Sequence, residues 1–83
     1  MSISKEQALA VFHQRHPSQI IRWFEITETL PEGCSIYACP KDCWFVLFLT
    51  IYDAPYVLQS SRLVAVSKST GEIVYDDRAN DEG

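Results

Sequence analysis

Five residues carry the donor types of a metal or thiol site: His13 and His16, then Cys34, Cys39 and Cys43. Zinc pairs normally come as C-x2–4-C with a matching second pair. Cys39 and Cys43 form one such pair, but the histidine pair precedes it, the reverse of the common fingers. The plainer expectation is that the cysteines are small buried hydrophobes and the histidines mark an exposed helix end. No metal and no cofactor is therefore assigned. A cysteine nucleophile with a histidine base fares no better, because no Ser, Thr or Cys sits in a recognisable elbow and no Asp or Asn is placed to orient either ring. Cys39 and Cys43 also lack the C-x-x-C spacing of a redox pair. Glu25 and Glu28 point to opposite faces of a strand, so they cannot work as a paired acid and base. The expectation is a protein without catalytic residues, with a Cys/His metal- or thiol-dependent protein as an outlying alternative.

Positioning any site falls to a small chain. Its 83 residues, 47% hydrophobic and 22% charged, suit one folded domain rather than a disordered segment. The formal charge of −4 is uneven: Asp76, Asp77, Asp81 and Glu82 against Arg78 put −3 in residues 76–83 and leave −1 for residues 1–75. Such a balance argues against nucleic acid, which needs clustered Lys and Arg. No apolar run reaches the length of a membrane span and no signal-peptide pattern opens the chain. Three cysteines then read as free thiols, and the expected setting is cytoplasmic.

Ser4 followed by Gln7 has the form of a capping box, so a helix should start at Lys5. Ala8, Leu9 and Phe12 share one of its faces, and Pro17 should end it near Arg15. Residues 20–29 alternate as a first strand, with Ile20, Phe24 and Ile26 against Ile21, Trp23, Glu25 and Thr27. Pro31 and Gly33 mark a turn, and residues 34–38 a short second strand before the turn at Cys39–Asp42. Trp44–Tyr52, nine uncharged residues rich in aromatic and β-branched side chains, reads as the central strand. Residues 53–61 are a loop or short edge segment. Leu63–Val66 and Ile73–Tyr75 form a hairpin, with Gly71 in the left-handed position of its turn. Residues 1–75 thus make a single α+β domain, one N-terminal helix on an antiparallel sheet of about four to five strands, and residues 76–83 an acidic, frayed end.

Alternation splits the central strand into two apolar rows, Phe45, Leu47, Leu49 and Ile51 against Trp44, Val46, Phe48, Thr50 and Tyr52. One three-turn helix covers a single layer. The expectation is that it covers the Phe45 row, leaving the Trp44 row to the 53–61 loop, a second copy or a partner. Trp44, Phe48 and Tyr52 are on that basis candidate partner-binding residues, with Asp76 and Asp77 steering a basic partner.

The stretch Trp44-Phe45-Val46 and the hairpin Val64, Val66, Lys68, Thr70, Gly71, Glu72 and Ile73 resemble the YrhB-like immunity proteins of bacterial toxin systems. There a W-V-F-F strand leads to a closing hairpin ending T-G-E-I or T-G-E-V. The same hairpin ending is similar to the PepSY-like fold. Ser67 stands where those hairpins often carry Asp, and residues 76–83 differ from the longer tail of the immunity family. The resemblance implies no catalytic residue and a module that inhibits a toxin or a peptidase. The expected function is a small non-catalytic protein-binding module, an immunity protein or inhibitor, acting on a protein partner. The alternative is a structural, self-associating homodimer.

Overall fold

The computed structural model describes residues 2–31, 33–34, 40–52 and 61–79. In chain order they form α1 (Lys5–Arg15), a single 3-10 turn (Ser18–Ile20), β1 (Ile21–Thr27), β2 (Cys43–Thr50), β3 (Arg62–Ser67) and β4 (Ile73–Arg78). The strands pair in that same order as an antiparallel meander, and α1 lies across one face over β2 and β3. This is the expected α+β arrangement, with four strands. The short strand expected at 34–38 falls outside the described residues except for Cys34, and so do residues 53–60 of the segment expected to be a loop or short edge.

The helix begins where its caps demand. The Gln7 backbone N–H donates to Ser4 Oγ at 3.2 Å while the Ser4 N–H donates to Gln7 Oε1 at 2.7 Å, so two donors at the helix start are satisfied reciprocally. It stops at Arg15 because His16, held extended ahead of Pro17, cannot continue it. Of the inward face, Ala8 and Phe12 are fully buried and Leu9 and Val11 partly so.

The helix takes the opposite row of the sheet from the one expected. Ala8 and Phe12 pack with Val46, Phe48, Val64 and Val66, flanked by Trp44, Ile21, Ile26 and Ile73. The Phe45 row instead forms a second cluster with Cys43, Leu47, Leu63, Ala65 and Ala79, against which Leu30, Cys34 and Tyr75 pack. The reason lies at the start of the chain. Ile3 N–H donates to Lys68 O at 2.8 Å and Ile3 O accepts the Trp44 indole N–H at 3.2 Å, so the residues before the helix are strapped to the Trp44 side. A β-bulge between Ile21 and Trp23 completes that layer: Ile21 pairs with Thr50 and Trp23 with Leu49, so Ile21 joins Phe24 and Ile26 on the helix face.

The other difference is at the end. β4 runs to Arg78, three residues past the expected end at Tyr75, with Asp76 and Asp77 paired to Val64 and Leu63. Ala79 is fully buried and its N–H donates to Ser61 O at 2.8 Å, so the frayed reading does not hold for residues 76–79. Gly71 does adopt the left-handed φ expected of it, +75°, where its N–H donates to Ser67 O.

Candidate protein-docking site

The side chains expected to bind a partner separate into different surroundings. Phe48 is fully buried under α1, its ring meeting Phe12 edge-on with centroids 4.9 Å apart. Trp44 is half-buried, its indole N–H used by Ile3 and its ring face covered by the Lys68 ammonium at 4.9 Å. Phe48 is therefore part of the core, and the expectation that it faces a partner is corrected, while Trp44 packs at the border of that layer. Tyr52, just beyond β2, is 76% exposed.

Asp76 is not the free acid of a tail. Its carboxylate accepts from Arg15 Nε at 2.7 Å and lies 3.2 Å from His16 Nε2, which fastens the end of α1 to β4. Asp77 points to the other face and accepts the Arg78 N–H at 2.8 Å. It also acts on Tyr75: burial of the ring, and next the nearby Asp77 charge, push the Tyr75 phenol above its ordinary value. The Tyr75 hydroxyl donates to Arg78 O at 2.6 Å, which ties the last turn of β4 to its own side chain.

The metal and thiol donors are not brought together either. His13 and His16 lie on the helix side, where His16 packs on Phe48 and Phe12 and the His13 ring is edge-on to Phe24. Cys34 and Cys43 belong to the cluster on the other side of the sheet, and Cys39 falls outside the described residues. Among the described residues no three His, Cys, Asp or Glu side chains converge as metal ligands. An orienting carboxylate for His16 does exist in Asp76, sixty positions away, and no local pattern could have paired them. The same carboxylate also holds Arg15, so it serves as a latch between helix and sheet.

Among the described residues, what the fold leaves open is the outer strand β1. Because Arg15 and His16 draw the helix end toward β4, the opposite border of the sheet is thinly covered. Phe24, on the helix face, stays 40% exposed although its ring lies 6.2 Å from that of Phe12, and Trp23, on the other face, is 44% exposed. Ile51 and Tyr52 add exposed apolar surface at the same corner, where Ile51 N–H donates to Ile20 O at 2.8 Å. A groove of about 280 Å³ runs here, lined by His13, Ser18, Ile21, Arg22, Trp23 and Phe24. Another depression, about 430 Å³ between α1 and the β3–β4 turn, is lined by Val11, Gln14, Arg15, Gly71, Glu72 and Ile73 and is an open crease between two elements.

From Trp23 to Thr27 the β1 ladder against β2 is regular, and among the described residues no strand pairs with its other edge. Such an edge presents a row of N–H and C=O groups able to accept another strand. The signal for it was present in the sequence. Residues 21–27 interleave Arg22 and Glu25 with large apolar residues, a pattern unsuited to a strand buried on both sides. The other outer strand, β4, is instead engaged by the helix latch, its Asp76 holding Arg15 and His16.

Compared with known proteins, the chain matches no family model, no curated protein and no solved structure. No helix among the described residues is long and apolar enough to cross a membrane.

Proposed function

We propose that this protein is a non-catalytic protein-binding module that docks its partner on the β1 border of the sheet. The observation that carries the reading is the pairing of a strand edge that is open among the described residues with two large aromatic side chains, Trp23 and Phe24, exposed on either side of it. Strand addition draws affinity from main-chain hydrogen bonds and specificity from side-chain contacts beside the edge. Trp is among the residues most often found at the energetic centre of interfaces. An immunity protein or an inhibitor, the roles that the hairpin motif resembles, is one form of such a module. Three cysteines, an odd number, fit a reducing compartment such as the cytoplasm.

The test is affinity capture with the wild-type chain and with Trp23→Glu and Phe24→Glu, followed by mass spectrometry of everything retained, further copies of the chain included. Retained protein should fall sharply for both variants and stay unchanged for Val74→Glu on β4. Equal capture by all four proteins refutes the β1 assignment.

A further inference from the structure

The charges along β1 identify which strand fits its edge. Arg22 stands at one end, in the bulge between Ile21 and Trp23, while Glu25 lies toward the other and Glu28 follows just past it. Among the described residues neither Arg22 nor Glu25 has an ion-pair partner, and Glu28 has only a long contact of 3.8 Å with Lys68. A strand with this polarity is complementary to itself when paired antiparallel and repels itself when paired parallel. We propose that β1 pairs antiparallel with β1 of a second copy of the chain, joining two four-stranded sheets into one.

Three further observations bear on that arrangement. The helix lies over β2 and β3 and is anchored toward β4, so a strand can approach β1 without meeting α1. A two-fold axis normal to the sheet keeps each face on its own side, because opposed residues in an antiparallel pair share a face. The axis must then pass through a residue position. Centred on Glu25 it sets Arg22 opposite the second copy's Glu28, but it places two carboxylates directly opposite each other at its centre and leaves Phe24 facing Ile26, which is unfavourable. Centred on Trp23 it leaves Arg22 facing an aromatic ring with no carboxylate in reach. Centred on Phe24 it sets the two Phe24 rings side by side on the helix face, Trp23 opposite the second copy's Glu25, and Arg22 one diagonal step from the second copy's Glu28. Diagonal neighbours lie about 7–8 Å apart, within reach of two long side chains. The register centred on Phe24 therefore covers the exposed aromatic ring and brings Arg22 toward an opposite charge while keeping the two Glu25 carboxylates apart.

This inference rests on the reading of β1 as a docking edge, and the experiment separates the two. Sedimentation of the full chain over a concentration series should show a monomer–dimer equilibrium. Arg22→Glu should weaken the dimer about tenfold or more, and Arg22→Glu combined with Glu28→Arg should restore most of the loss. Val74→Glu on the β4 edge should leave the equilibrium unchanged. Arg22 and Glu28 are exposed, so these variants keep the fold, which circular dichroism checks. A chain that stays monomeric at about 100 μM, where a protein with micromolar affinity would be mostly dimeric, overturns the inference. So does a dimer indifferent to Arg22→Glu. In either case the docking reading survives if the Trp23 and Phe24 variants still lose a captured, different protein, and falls with it if they do not.

Discussion

Replacing Phe12 with alanine should remove a large share of the margin that keeps this domain folded. The side chain is fully buried, touches Phe48 edge-on at 4.9 Å, and lies within ring contact of His16 and Phe24. Truncating a buried Phe costs about 3–5 kcal/mol. Domains hold about 0.05–0.15 kcal/mol per residue, which for 83 residues is about 4–12 kcal/mol in total. A milder set of variants measures the same contact without unfolding the chain. Phe12→Leu keeps most of the volume and should cost under about 1.5 kcal/mol. Combined with Phe48→Leu in a double-mutant cycle, it should show a coupling of about 0.5–1.5 kcal/mol from the lost ring pair. Combined with Phe45→Leu, on the far side of the sheet, it should be additive within about 0.3–0.5 kcal/mol. Urea unfolding followed by the fluorescence of Trp23 and Trp44 supplies all the values. Coupling to Phe45 and none to Phe48 would show that α1 covers the other row, and the two-layer description would fail.

Three further outcomes follow from single contacts. Ser4→Ala breaks the bond from the Gln7 N–H and should lower stability by about 1 kcal/mol, read from the urea midpoint. Gly71→Ala should also cost about 1 kcal/mol. A Cβ there would meet only Ile3 Cγ2 at an ordinary 3.7 Å, so the loss arises from forcing φ of +75° on an L-residue, and a stabilised variant would contradict it. Tyr75, whose phenol is raised by burial and by Asp77, holds its proton more tightly folded than unfolded. Its contribution to stability is therefore complete below the unfolded value near 10 and is lost as pH rises through the folded one. Ultraviolet titration of wild type against Tyr75→Phe should show one phenol ionising late, and Asp77→Asn should bring it earlier.

Local chemistry made α1 and the β3–β4 hairpin legible. Ser4, Gln7, Pro17 and Gly71 act within a few residues of themselves, and each is found where its type demands. The split of β2 into two rows was equally plain, since alternation is a property of the strand alone. Which row the helix takes was not, because that depends on Ile3 reaching both Lys68 and Trp44, contacts that span most of the chain. Asp76 misled for a similar reason. Beside Asp77, Asp81 and Glu82 it resembles a solvated tail, yet Arg15 and His16 answer its charge from the first helix. Trp23 and Phe24 were visible as alternating strand residues, but their exposure follows from the tilt of coverage toward β4, a consequence of that latch.

Amide hydrogen exchange on the captured complex, or on the dimer at high concentration, tests the docking edge most directly. Partner binding should slow exchange of the outward-facing amides among Trp23–Thr27, and leave β4 and the core amides of Trp44–Phe48 as they are in the isolated chain. Protection confined to β4 or to the turn around Gly71, with β1 unchanged, would contradict the account.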